Sequence, residues 1–175
     1  MKKLTVQIGT QIAARYARRV KPALLRKAAQ ATFDHTCRGR QPALVRGSPG
    51  CQSQRVRGRA SLTIVVTGDA QLRALNRKFL HIDAPTDVLS FAADEPEPSQ
   101  GFRYLGDVVI SFTSARAQAR LGGHPVEAEI QLLVVHGVLH LLGHDHATRV
   151  QKAKMWKAQS EILQSIGVAI TKPTR

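Results

Sequence analysis

The stretch HGVLHLLGHDH, His136 to His146, sets four histidines among leucines and valines. His136 and His140 are four apart, so on a helix they stack on one face. Two imidazoles so placed can share one metal ion at about 2.0–2.1 Å each. Gly143 is a natural helix stop, and past it the chain can turn back to bring in His146 as a third nitrogen donor. This spacing matches the extended zinc-protease pattern H-E-x-x-H-x-x-G-x-x-H at every histidine and at the glycine. It departs at one place, where Gly137 replaces the glutamate that serves those proteases as general base. The residues therefore predict one zinc ion per chain, held by His136, His140 and His146, without the usual peptide-cleaving base. Three protein ligands leave a fourth position open, which is the catalytic rather than the structural arrangement. Asp145, between two of the histidines, is a candidate to orient a ligand or to act as a base.

These side chains need a helix to hold them. In PVEAEIQLLVVHGVLHLL, Pro125 to Leu142, apolar residues cover almost the whole circumference, which predicts a zincin-like metal helix central to the core. Glu127 and Glu129 fall in its first turns, where the helix dipole favours negative charge. Around it the pattern predicts a strand at Leu4–Gly9, a helix over Pro22–Phe33, and a strand at Ser61–Thr67. A helix over Ala70–Lys78 capped by Asp69 follows, then strands in DVLSFAA and DVVISF, a short helix capped by Thr113 or Ser114, and a last helix capped by Thr148. Trp156 and Leu163 are predicted core contacts of that last helix. The expected fold is α+β: a single mixed sheet of about four strands packed with helices. Within the turn-forming and strand segments, Thr86 and Asp87 read as local backbone caps, Asp107 as a structural hydrogen-bonding group, and Ser90 as a polar side chain facing the metal cleft.

Three blocks together resemble the YbeY endoribonuclease family: HGVLHLLGHDH, LNRKFLHIDAPTDVLSF (Leu75 to Phe91) and LGDVVIS (Leu105 to Ser111). The resemblance spans about residues 61 to 165. It implies a zinc-dependent, single-strand-specific endoribonuclease that acts in small-subunit ribosomal RNA 3′-end maturation and ribosome quality control. It also implies the small ribosomal subunit and its assembly factors as partners, and His136, His140 and His146 as the metal ligands. Two positions depart from the family pattern. Leu80 stands where the family has an arginine tied to RNA cleavage, which makes the nearby Arg77 a candidate substitute. His144 stands where the family has tyrosine, and offers a spare ligand or proton carrier. A zinc peptidase with another base, and a ribosomal RNA-binding factor with little nuclease activity, are the competing readings.

Charge supports a polyanionic partner. The net charge is +14, and residues 1–60 hold 14 lysines and arginines against one acid, Asp34. A surface of this kind attracts phosphate backbones. The Gly-, Pro-, Ser- and Arg-rich segment at about 34–60 reads as a basic loop insertion within one domain spanning 1–175. Arg38, Arg40, Arg46, Arg55, Arg57 and Arg59 are its candidate RNA-binding residues. Residues 1–30 are Arg-rich and acid-free, as a transit peptide is, but LTVQI reads as a strand. Cys37 and Cys51 are too few for a disulfide scaffold, no secretory signal or bilayer-length apolar run is visible, and a cytoplasmic setting without membrane or disulfide-linked partners is expected.

Overall fold

A computed structural model describes residues 5–38, 44–45, 54–55, 59–93 and 103–170, with the backbone alone at 37–38, 44–45 and 54–55. In chain order the elements are β1 (Thr5–Ile12), a single 3-10 turn (Ala14–Tyr16), α1 (Pro22–Arg38), β2 (Leu44–Val45), β3 (Gln54–Arg55) and β4 (Arg59–Thr67). Then come α2 (Asp69–Leu80), β5 (Val88–Ala92), β6 (Arg103–Ser111), α3 (Phe112–Gly122), α4 (Val126–Leu141) and α5 (Arg149–Ser165). The main sheet has four strands in the order β1-β4-β6-β5. β1, β4 and β6 run parallel, and β5 runs antiparallel to β6 at the edge. This is the mixed α+β sheet that the sequence predicts.

α4 lies at the centre, in contact with α1, α3, α5, β5 and β6. It is buried from Glu129 through Leu139, as its all-round apolar sequence requires. Close packing against the sheet depends on Gly137: a Cβ there would stand 2.5 Å from Val108 Cγ1 and 3.1 Å from Ser90 Oγ. Any side chain at 137 would have to push the Val108 side chain of β6 aside, so the absence of the protease base has a packing reason.

Several boundaries move from the sequence reading. α1 continues past Phe33 to Arg38, so the segment expected as a loop from residue 34 begins as helix. The apolar period ends at Phe33, but the Thr36 hydroxyl bonds back to the Thr32 carbonyl at 2.8 Å and His35 pairs with Glu161 of α5 at 2.9 Å. Asp69 does not cap α2, whose N-cap is Gly68 with no side-chain cap. Its carboxylate instead accepts hydrogen bonds from the Ser111 and Ser114 hydroxyls, tying α2 to the start of α3. The cap of α3 is Ser111 rather than Thr113 or Ser114, with Oγ accepting from the Ser114 N–H at 3.2 Å. The predicted Thr148 cap is present, as a full capping box with Gln151. Leu163 is buried, whereas Trp156 is only half-buried, and Lys152 Nζ lies 4.4 Å from its ring centroid.

β6 starts at Arg103, four residues before the expected Asp107. Gly106 makes this start possible, because its φ is +123° and a Cβ there would overlap the Phe91 carbonyl of β5. Asp107 accepts from Tyr104 Oη at 2.6 Å, the structural role expected of it. Asp87 is buried at the head of β5 and accepts from the Val88 N–H at 2.9 Å and from Gln118 Nε2 at 3.0 Å. No helix among the described residues is long and apolar enough to cross a membrane.

Candidate metal centre and cleft

The last turns of α4 carry His136 and His140 on one face, as their spacing predicts. Gly143, at φ +86°, reverses the chain, and His146 returns to stand over the same face. The rings of His136 and His146 lie roughly parallel at 5.5 Å between centroids, while His140 stands edge-on to both, at 4.8 and 4.9 Å. Each histidine offers one nitrogen, and the three lie within 4.8 Å of one another.

The geometry suits a metal ion on two counts. Nitrogens about 2.0–2.1 Å from a tetrahedral ion stand about 3.3–3.4 Å apart. Here His136 Nε2 and His140 Nε2 are 3.2 Å apart. The second count concerns protonation. Burial, followed by the charges of His136 and His146, pushes the His140 pKa down to about 4, against the opposing pull of Asp145 and the His144 backbone. His140 is therefore neutral at pH 7, the charge state in which an imidazole binds a cation.

Gln159 completes the arrangement, and the sequence reading missed it. It is fully buried in α5, and its Oε1 lies 3.0 Å from His136 Nδ1. An amide oxygen can only accept, so His136 Nδ1 donates and its Nε2 is left unprotonated, facing His140 and His146. The available signal was a glutamine on the apolar stripe of α5, between Met155 and Ile162.

The histidines open onto a cavity of about 370 Å³ whose other walls include Leu80, Val88 and Ser90. Ser90 does face this cleft, and its hydroxyl also donates to the Gly137 carbonyl at 3.1 Å. Leu80, at the end of α2, is 53% exposed and stands on the cleft wall, so the departure from the family pattern falls beside the three histidines.

The remaining candidates are placed differently. Asp145 is half-buried, and its Oδ1 accepts from the His146 N–H at 2.7 Å, which fixes the turn presenting His146. His144 is half-buried and is not among the residues lining the cavity; burial and then the charge of His35 lower its pKa. Arg77 is exposed on α2 and also does not line the cavity. Of the six candidate RNA-binding arginines, Arg40, Arg46 and Arg57 lie outside the described residues, as do the side chains of Arg38 and Arg55. Arg59 begins β4 and is exposed.

Comparison with known proteins identifies the family. Residues 48–167 match the family model described as "Endoribonuclease YbeY". An "Endoribonuclease YbeY" of Roseiflexus sp. (strain RS-1) is 43% identical over 135 residues, covering 73% of this chain and 84% of the relative. One from Solibacter usitatus is 45% identical over 124 residues, covering 69% and 79% respectively. The fold is similar to the solution structure of a Thermotoga maritima protein, with a TM-score of 0.51 and 19% identity over 97% of this chain and 99% of that one. With a family model matching well over half its length and relatives this similar, the chain belongs to the YbeY family of endoribonucleases.

Proposed function

We propose that this chain is a zinc-dependent endoribonuclease specific for single strands, acting in the cytoplasm on the 3′ end of small-subunit ribosomal RNA and in ribosome quality control. In this reading the whole chain is one catalytic domain that works with the small subunit and its assembly factors. The segment at about 34–60 is a basic insertion that holds RNA phosphates. The convergence of three imidazoles on the wall of an open cleft carries the proposal. His136, His140 and His146 would hold a divalent ion, which would supply Lewis acidity to a phosphoryl oxygen and help generate a nucleophile near neutral pH. The chain's own residues do the rest. Gln159 orients His136, Asp145 fixes the turn that presents His146, and Leu80 and Ser90 shape the space beside the reacting phosphate.

A second reading, an RNA-binding factor with little nuclease activity, draws on Leu80. An arginine at that position would offer a charged donor to a phosphate oxygen, and leucine offers none. Loss of one well-placed donor typically costs about 10²–10³ in rate. We therefore expect slow cleavage of single-stranded RNA by the wild type, no cleavage by His140→Ala, and a gain towards that factor in Leu80→Arg. Comparing the three with one RNA separates this activity from contaminating nucleases, which respond to neither substitution. RNA binding without cleavage by the wild type and by Leu80→Arg would favour the second reading.

A further inference from the structure

Among the described residues, five large hydrophobic side chains are exposed, and three of them fall within four consecutive positions: Phe79 (51% exposed), Leu80 (53%) and Ile82 (52%). They form the end of α2 and the turn after it. Leu80 also lines the cleft with the histidines, so the patch meets the cleft at this residue.

The turn that displays them is braced. Asn76, buried beneath it, donates from Nδ2 to the Ala84 carbonyl at 2.8 Å, and its own carbonyl accepts the Ile82 N–H at 3.3 Å. His81 sits at φ 58°, a left-handed conformation uncommon outside glycine, and closes the helix. Arg73 clamps Asp83 with two hydrogen bonds of 2.8 and 3.0 Å. Phe79 rests edge-on against Phe91 of β5, with ring centroids 5.1 Å apart and planes at 61°. The chain thus commits several polar contacts to holding an apolar lip in water, which is the mark of a surface built for a ligand.

The flanking charges say which ligand. Arg77 and Lys78 are exposed in the last turn of α2, and Lys78 Nζ lies 5.1 Å from the Phe79 ring centroid. An aromatic ring beside exposed cations, at the mouth of a nuclease cleft, matches the way proteins hold unpaired nucleotides: a base stacks on the ring while cations meet the phosphates. A paired base inside a duplex has both faces covered and cannot take such a seat.

We propose that Phe79, supported by Phe91 and flanked by Arg77 and Lys78, is a stacking seat for an unpaired nucleobase next to the cleaved phosphate, and that this seat reads single-strandedness. The proposal deepens the endoribonuclease reading and rests on it. Its occupant is single-stranded RNA rather than a protein surface, because the lip meets the cleft at Leu80 and is bordered by positive charge.

The test measures binding separately from cleavage. A fluorescent single-stranded RNA made uncleavable by 2′-O-methylation is titrated into the wild type, Phe79→Ala and Phe79→Trp, each checked for an unchanged thermal midpoint. Phe79→Ala should weaken binding by about 5- to 150-fold, which corresponds to about 1–3 kcal/mol, and Phe79→Trp should restore it. In an oligonucleotide carrying 2-aminopurine at successive positions, one position should lose fluorescence on binding the wild type and keep it with Phe79→Ala. An abasic site at that position should erase the difference between the two proteins. Equal affinities for wild type and Phe79→Ala, or an equal loss on single-stranded and duplex RNA, would overturn the seat. Should the wild type cleave RNA normally while Phe79→Ala binds and cleaves equally well, the seat is wrong and the nuclease reading stands. Conversely, base-dependent stacking by a protein that never cuts RNA supports the seat and removes the nuclease. Capture of a defined ribosomal protein through this lip, with no base-dependent RNA binding, would assign the surface to protein instead.

Discussion

The two halves of α4 bury polar groups in opposite ways. At its start, Glu129 is fully buried, and neither carboxylate oxygen has a hydrogen-bond partner among the described residues. His124 Nε2 lies 3.2 Å from Oε2, an ion pair when the ring is protonated but not a hydrogen bond. At its end, His136 is nearly as buried, yet one ring nitrogen is engaged by Gln159 and the other faces two more imidazoles at an open cleft. A buried polar group left without partners costs stability. A buried polar group with one side held and the other aimed at a gap is arranged to take up a ligand. The contrast separates a buried acid from a binding site on one helix, and it can be tested from either end.

The largest effect is expected at the histidine end. His136→Ala should take zinc content from about one per chain to background, because it would remove one of the three proposed ligands. A ligand that binds only the native state stabilises it, so zinc at roughly 1,000 times Kd should add about 4 kcal/mol of stability to the wild type. The variant should show no such gain. Metal analysis with calorimetric unfolding, with and without zinc, checks both, and full zinc retention by the variant would break the comparison.

In metal-free protein the two ends should also pull stability in opposite directions with pH. Burial raises the Glu129 pKa from 4.5 to about 7, with His124 opposing and Asp87 adding to the rise. The folded state then holds this proton more tightly than the unfolded one. That stability is full below pH 4.5 and is lost as pH climbs through 7, an effect on the order of 3 kcal/mol. His140 behaves in the reverse sense: its pKa is lowered from 6.5 to about 4, so its contribution is present above 6.5 and lost as pH falls towards 4. The windows overlap, and the wild type should show a shallow profile. Glu129→Gln, neutral at every pH, should expose the rising slope and be the more stable protein at pH 8. His140→Ala should expose the falling slope. Thermal midpoints from pH 4 to 8.5 decide this, and parallel profiles for all three proteins would show that neither group governs the pH response.

How much of this could be read beforehand depended on whether the informative residues were close in sequence. The element order and the three converging histidines follow from local spacing: the i, i+4 pair on an apolar helix, the glycine stop and the return to His146. Leu80 was legible as a departure from a family motif, and the structure adds that it stands on the cleft wall. Glu129 does lie in the first turns of α4, but its burial was not legible there: a helix apolar on every side leaves no solvated face at position 129. Asp69 was misjudged because its partners, Ser111 and Ser114, are brought to it only by the fold. The base-stacking lip was illegible because exposure at Phe79, Leu80 and Ile82 is set by the brace beneath them. Gln159 lies 23 residues from His136, and no local pattern links a glutamine in one helix to a ring in another.

The smallest of these effects therefore tests the contact that sequence could not show. Gln159 Oε1 accepts from His136 Nδ1, and this favours the tautomer whose Nε2 carries the lone pair. Partners of this kind typically change metal affinity by 10–100-fold when removed. Gln159→Leu keeps the volume and the burial but offers no acceptor, so zinc affinity should fall by about that factor while close to one ion per chain still binds at saturation. Gln159→Glu should bind at least as tightly as wild type, because a carboxylate is a stronger acceptor for the same N–H. In metal-free protein, nitrogen-15 shifts of the His136 ring should report a proton on Nδ1 in the wild type and a mixed tautomer in Gln159→Leu. This readout does not depend on activity or on zinc, and general loosening of α5 would not produce it. An unmixed Nδ1–H tautomer in Gln159→Leu, together with unchanged zinc affinity, would mean that packing alone orients His136. The two ends of α4 would then differ in exposure to the cleft and not in how their polar groups are held.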